Sequence, residues 1–456
     1  MPTCLVFKNK LQVALAASMA ATFATPAAAQ AGDGLTLDGT MRVRVEALEG
    51  QFRPNVAASD TLLTVRSTLA ASYRFDALRI GGEILDTRAY AERKRSSLDG
   101  KDEDALEPLQ AYLALDLDDV VAEGDKASGI VGRFTMDIGS ERLVARTDYA
   151  NVHQSFLGGM VDWRSKNKDR IVAFWARPFV TLPSDARDIR DNRVELDRAN
   201  GATQFFGASV TRGGIMRGVS GEIYVYRLVE QDLEEQATRN RRITTFGLRI
   251  RRTPAPHILD YEFEGILQRG LTRASAAATD VRDLGVRARY VHAEAGWTQR
   301  GQWTPRISLQ FDYGSGGSPG DGRYGRFDSL YGARRFDISP SGLYGAASRS
   351  NIVSPALRAE AKPSKRLDLS TTLRGLWLAD PTDSFGATGV RDKTGRSGNA
   401  AGTQIELRAR RTLIPNRLKL DVGGDLLMKG HFLKAAPNAP KTGDTRYGYV
   451  EIAAAF

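Results

Sequence analysis

The side chains able to do chemistry are spread in a way that argues against catalysis. The four histidines, His153, His257, His292 and His431, are scattered over 456 residues, and none stands in a zinc-protease spacing. The run from Gly314 to Gly322 is rich in glycine, but Pro319 interrupts it and no Lys-Ser/Thr follows, so it reads as a loop rather than a phosphate cradle. Glu262 and Glu264 are two apart and share one strand face, the placement expected of partners for basic residues on neighbouring strands. Asp232-Leu233-Glu234-Glu235 reads as a solvated acidic loop in preference to a divalent-ion site. Cys4 is the single thiol, which excludes a disulfide framework and a thiolate metal cluster. No cofactor, no metal and no enzymatic role are expected. A barrel hydrolase would need His153 or His431 beside a nucleophile or carboxylate at a rim, and no motif supports it.

What the chain has in quantity is arginine: 50 of its 64 basic residues, against 54 acidic ones, for a net charge of +10. The guanidinium is a permanently charged, fork-shaped donor that fits carboxylate and phosphate oxygens two at a time. A basic chain raises the question of nucleic acid, but the N-terminus reads as an export signal. Lys8 and Lys10 precede the apolar stretch Leu11–Phe23, and Ala27-Ala28-Ala29 offers a small-residue cleavage site near Ala29. The apolar stretch is too short for a membrane-spanning anchor. The domain reading is therefore a signal peptide over 1–29 and one unit over 30–456. An exported, basic chain with no cysteine beyond the signal peptide points to a bacterial envelope and to an acidic partner other than nucleic acid.

The elements that must position these arginines are strands. Apolar and polar residues alternate at period two almost throughout, as in Leu63-Val65-Ser67-Leu69-Ala71-Tyr73-Phe75 and Leu367-Leu369-Thr371-Leu373-Gly375-Trp377. The pattern predicts 18 strands, at 34–47, 61–75, 77–90, 107–117, 129–138, 154–163, 169–180, 203–211, 219–229, 242–252, 257–268, 281–293, 303–314, 350–361, 367–379, 402–413, 417–429 and 446–456. Their connections alternate between long polar loops, such as 91–106, 139–153 and 315–349, and shorter turns, such as Asp76 and 414–416. That two-beat rhythm predicts an all-β fold, a transmembrane antiparallel β-barrel in the outer membrane with long extracellular loops and short periplasmic turns. The last strand ends in Phe456, resembling the signal by which barrel-assembly machinery recognises its clients. Tyr73, Phe75, Trp163, Trp175, Tyr290, Trp377 and Tyr447 fall towards strand ends, where aromatic girdles sit, although aromatics also favour strands in general.

If apolar residues face lipid, their neighbours face the lumen. These include Arg42, Arg44, Arg66, Arg133, Arg249, Arg287, Arg289, Arg306, Arg358, Arg374, Arg408 and Arg410, with acids such as Glu264 and Glu406 on the same faces. For any single arginine the favoured reading is a cross-strand ion pair that stiffens the wall. For the set it is an electropositive path for anions.

Several segments carry a family resemblance. Phe311-Asp312-Tyr313-Gly314-Ser315-Gly316-Gly317, followed by Arg326-Phe327-Asp328-Ser329-Leu330-Tyr331-Gly332, resembles the alginate-export family of outer-membrane porins, with Gly317 in place of an Asp. Gly132-Arg133 and Gly139-Ser140-Glu141-Arg142-Leu143-Val144 resemble its Gly-Arg-Gln…Gly-x-x-Arg-Leu segment, with Phe134 replacing Gln. Asn151 matches a Trp-x-Asn in which Tyr149 replaces Trp, and Phe156-Leu157-Gly158 stands for Phe-Asp-Gly. Tyr261–Gly265 with Gln268, Asn351-Ile352, Asp383 and Gly402–Leu407 follow in order. The resemblance implies an 18-stranded barrel whose arginine-lined pore passes a uronic-acid polysaccharide, and it carries Arg133, Arg142, Glu264 and Glu406 over as pore residues. A porin for small organic anions is the alternative. Either 91–106 or 315–349 is the candidate gate.

Overall fold

The computed structural model describes residues 34–234, 237–317, 322–333, 338–340 and 342–456. The expected signal segment 1–29 lies outside them. All 18 expected strands are present: β1 Gly34–Glu49, β2 Ser59–Phe75, β3 Leu78–Tyr90, β4 Asp104–Asp118, β5 Lys126–Phe134, β6 Phe156–Arg164, β7 Arg170–Val180, β8 Thr203–Met216 and β9 Val219–Glu230. The second half comprises β10 Arg242–Arg252, β11 Leu259–Thr272, β12 Leu284–Thr298, β13 Arg306–Gly314, β14 Ile352–Ser364, β15 Leu367–Trp377, β16 Ala400–Ile414, β17 Leu418–Lys429 and β18 Thr445–Ala455. Each pairs antiparallel with its sequence neighbours, and β1 pairs with β18 from Thr40↔Ala455 to Glu49↔Arg446. Two further strands of two residues each lie in loops: Arg198–Ala199 pairs with β7, and Arg323–Tyr324 runs parallel to β12.

Closure is what makes the fold compatible with lipid, because strands paired on both sides leave no open sheet edge. The seam is finished by the last residue. The Gly39 N–H donates to the Phe456 carbonyl at 2.8 Å, and the Phe456 N–H returns to the Gly39 carbonyl at 2.9 Å. The Phe456 ring lies over Gly39, where any Cβ would collide with it.

The pleat sorts side chains as the alternation predicts. Leu35, Leu37, Leu69, Ile80, Leu309 and Leu407 are exposed on the outer face, beside Tyr73, Phe75, Trp175 and Trp377. Tyr290 and Tyr447 depart from the expected girdle: both are buried inside, where their hydroxyls donate to Asp312 and Glu46 at 2.6 Å. No helix among the described residues is long and apolar enough to cross a membrane.

The connections alternate as expected, from 76–77 and 217–218 on the short side to 135–155, 315–351 and 378–399 on the long side. The long ones do not project freely. Loops L3 (135–155) and L8 (378–399) and the described residues of L7 (315–351), with the short helix His431–Ala435, turn inwards and build two apolar clusters inside the barrel. One joins Phe52, Leu343, Tyr344, Phe385, Val390, Phe432 and Tyr447; the other joins Phe134, Leu143, Val144, Phe156, Phe205, Tyr226, Tyr290 and Phe327.

Candidate functional site

The lumen is divided by a plate made where L3 and L7 cross. Val144 and Tyr331 form a parallel bridge: the Ala145 N–H donates to the Tyr331 carbonyl at 3.0 Å, and the Tyr331 N–H to the Leu143 carbonyl at 3.0 Å. Gly332 makes this approach possible, since a Cβ there would strike the Arg142 carbonyl. L7 was one of the two candidate gates, and its described part lies inside the barrel. L3 was not, and it forms the other half of the plate. The loop 91–103 lines the space above L3 and touches it through the Lys101 carbonyl, which accepts from Val152 N–H at 3.2 Å.

Polar side chains anchor the plate to opposite walls. On one side, Arg142 of L3 donates to Glu262 and Glu264 of β11, each at 2.6 Å, and Glu264 also accepts from the Tyr224 hydroxyl at 2.6 Å. On the other, Arg42 of β1 donates to the carbonyls of Asp148, Tyr149 and Ala150 at 3.0, 3.1 and 2.9 Å. Arg66 of β2 reaches the Asp148 and Ala150 carbonyls at 2.9 and 2.8 Å. Arg44 donates to the Tyr149 carbonyl at 2.8 Å, lies 4.0 Å over the Tyr149 ring and pairs with Glu451 at 2.5 Å. On the same side, Arg146 of L3 is bonded to both oxygens of Glu83 of β3 at 2.6 and 2.8 Å. L7 is held by Gln268, which accepts from the Asp328 N–H at 2.9 Å and donates to its carbonyl at 2.8 Å. Arg326 pairs with Asp383 of L8 at 2.7 Å, and Asn351 donates to the Asp380 carbonyl at 3.0 Å. The residues that carry the family resemblance in L3, β11, L7 and L8 thus converge on this internal lattice.

The remaining expected pore residues divide into three groups. Lumen-facing arginines with carboxylate partners are Arg249 with Glu262 at 2.9 Å, Arg306 with Glu294 at 2.7 Å and Glu360 at 2.9 Å, and Arg358 with Glu360 at 3.0 Å. Arg374 with Asp312 at 2.9 Å and Arg408 with Asp421 at 2.9 Å complete that group. Arg410 faces the lumen at the periplasmic end of β16 and is exposed, while Glu406, further up the same face, is buried. The third group corrects the expectation. Arg287 and Arg289 alternate with the buried Val286, Ala288 and Tyr290 and therefore point outwards. Arg133 shares its pleat with Val131, which is exposed on the outer face, and stands opposite Leu157. It is buried there by Glu107, with Ser155 at 3.0 Å, Asp197 at 3.3 Å and the Phe179 ring at 3.6 Å. The alternation at strand ends was read with the wrong phase in both places.

Above the plate lies a cavity of about 520 Å³. Among the described residues, Arg44, Arg53, Lys101, Arg239 and Arg326 line it against Asp99, Asp102 and Asp328, with Tyr149, Tyr324 and His153 between them. Burial, with Asp99 and Glu46 nearby, pushes the Asp102 carboxyl up to about 8, so at neutral pH it adds little negative charge. Burial and the neighbouring Arg66, Arg146 and Arg42 hold His153 neutral. Arg53, Arg239 and Arg326 were not among the expected site residues, because loop arginines carry no alternation to point them anywhere. The Asn151 side chain, within a resembling segment, accepts from Arg42 at 2.5 Å.

Solved structures share the architecture. OccAB1 of Acinetobacter baumannii superposes with a TM-score of 0.58 at 12% identity, over 92% of this chain and 96% of that one. OccD3 (OpdP) of Pseudomonas aeruginosa gives 0.53 at 14%, over 95% of each. OccK2 (OpdF) of the same organism, solved in complex with glucuronate, gives 0.55 at 13%, over 93% and 99%. At these identities the likeness is one of fold: an outer-membrane porin barrel. No curated protein matches the sequence. The model of the family described as alginate export matches residues 34–445, and on that span the chain belongs to the alginate export family.

Proposed function

We propose that this protein is a passive outer-membrane channel for anionic saccharides of the uronate type, polymeric or oligomeric. The observation that carries the reading is the cavity above the L3–L7 plate. Its described lining places five basic side chains against three carboxylates, one of them protonated near neutrality, in a space flanked by tyrosines. Guanidinium and ammonium groups there replace part of the hydration of a carboxylate, and tyrosine faces suit a sugar ring. Family membership and the glucuronate bound by OccK2 support the same solute class. The chain's own arginines bind and orient the anion; the channel makes and breaks no covalent bonds. The Phe456 strand would serve as the recognition element for barrel assembly, with residues 1–29 as the export signal.

A second reading, a porin for small organic anions, draws on the plate itself. L3 and the described part of L7 are packed into the barrel interior, so a polymer demands a wider opening of the plate than a single uronate does. Planar-bilayer recording separates the two. Uronate oligomers that block an anion-selective current and lengthen its closures support the polymer path. Block by monomers alone supports the small-anion porin, and a cation-selective current overturns both.

A further inference from the structure

Charged residues on the outer face near the extracellular rim are neutralised in pairs over part of the barrel. Glu49 stands directly opposite Arg446 across the β1–β18 seam, Arg88 bonds Asp86 at 3.0 Å, and Arg242 pairs with Asp283. One pleat below the Arg242–Asp283 pair, strands β9 to β12 break this rule. Arg227, Thr244, Arg269 and Arg287 occupy one continuous cross-strand row, each opposite the next, and Arg289 stands one pleat below. All of them point outwards. Arg227 donates to the Thr244 hydroxyl at 2.6 Å, and Arg289 lies 5.4 Å from the Tyr313 ring. None of the four arginines forms an ion pair among the described residues.

Like charges directly opposite one another destabilise a sheet, and an outward guanidinium near lipid is tolerated only at the interface. Arg269 facing Arg287 therefore calls for an anion that none of the described residues supplies. Immediately below the row, Val225, Phe246 and Leu267 are exposed on the same face and in the same register. The row crosses three inter-strand gaps, about 14 Å at the usual spacing, which is wide enough for a headgroup carrying more than one phosphate. We propose that Arg227, Arg269, Arg287 and Arg289 form a binding site for a polyphosphorylated glycolipid of the outer leaflet, phosphates on the guanidiniums and acyl chains along Val225, Phe246 and Leu267. The site is independent of the solute path, since the plate and cavity lie on the other side of the wall.

The test is native mass spectrometry of the purified full-length barrel in neutral detergent. It is titrated with bisphosphorylated lipid A, the same lipid after dephosphorylation, phosphatidylethanolamine, and inorganic phosphate alone. The expected result is retention of the bisphosphorylated lipid about tenfold more strongly than the other three. The triple variant Arg269→Gln/Arg287→Gln/Arg289→Gln is expected to lose that preference, and Arg446→Gln to keep it. Equal retention of phosphorylated and dephosphorylated lipid, saturation by inorganic phosphate alone, or a triple variant that binds as the parent does would each overturn the site. Should the triple variant fail to assemble, Arg287→Gln alone decides. It should raise the unfolding temperature without lipid, by removing a like-charge contact, and reduce the gain the lipid confers; an undiminished gain would overturn the proposal.

Discussion

At the scale of single residues, arginine does two jobs that its abundance alone cannot tell apart. Arg142 is a structural anchor: its side chain is buried, as is Glu264, and the two meet at 2.6 Å. Removing one member of such a pair leaves a desolvated charge, a loss of about 3–5 kcal/mol. Arg142→Gln should therefore lower the temperature at which the barrel unfolds in detergent, the measurement being the heat-induced shift from folded to unfolded mobility on electrophoresis. Arg410, exposed at the periplasmic mouth, should behave oppositely. Arg410→Gln is expected to leave stability within about 0.5 kcal/mol and to reduce anion preference in bilayer recordings. The sequence could name both residues, but composition and spacing do not reveal which arginine has a buried carboxylate across the lumen. Glu262 and Glu264 were legible as partners of basic residues; that one of those residues arrives on a loop, from 120 positions away along the chain, was not.

At the scale of elements, the strands were legible and the loops were not. Period-two alternation is imposed by two solvents on opposite faces of one wall, so each strand can be read locally. Its ends shift by up to five residues, as at β8, which runs to Met216, because the alternation fades before the hydrogen bonds stop. L3 and L7 have no local rule: they are held by residues from β1, β2 and β11. Yet the segments resembling the family fall largely on these loops and their anchors, so the resemblance marked the plate without revealing its shape. The plate is held to β1 and β2 through its backbone, since Arg42 and Arg66 grip carbonyls of L3. Arg42→Gln/Arg66→Gln should release the 148–151 segment, raising single-channel conductance and open-state noise while the wall stays folded. Unchanged conductance would remove L3 from the permeation path. The neighbouring loops 91–103 and 181–202 should respond to pH. Burial pushes Asp102 and Glu103 up to about 8, and burial with Glu107 raises Asp197 to about 7. Carboxyls in the unfolded chain titrate near 4, so the folded loops hold protons that the unfolded ones have released. Their contribution is full below about pH 4 and is lost as pH rises through 7 to 8. Amide exchange in 91–103 and 181–202, corrected for its intrinsic pH dependence, should accelerate across that window.

At the scale of the whole molecule, the barrel separates three chemistries that a soluble protein would mix: an apolar band outside, an ion-paired lattice inside, and a basic cavity above the plate. The net charge of +10 says only that cations prevail; the fold decides where they are unopposed. Along the wall, Arg249, Arg306, Arg358, Arg374 and Arg408 have carboxylate partners, so their fields largely cancel beyond a few ångströms and salt screens the remainder. In the cavity the balance depends on Asp102, because its ionisation adds one negative charge beside Lys101 and Asp99. The anion preference of the open channel should then fall as pH rises from 6 to 9, with its midpoint near 8. Asp102→Asn should hold the preference at its low-pH level throughout. Reversal potentials under a salt gradient, taken at low ionic strength where the cavity field is least screened, provide the measurement. A pH dependence that survives in Asp102→Asn would place the selectivity elsewhere, with the mouth at Arg410 the next position to neutralise.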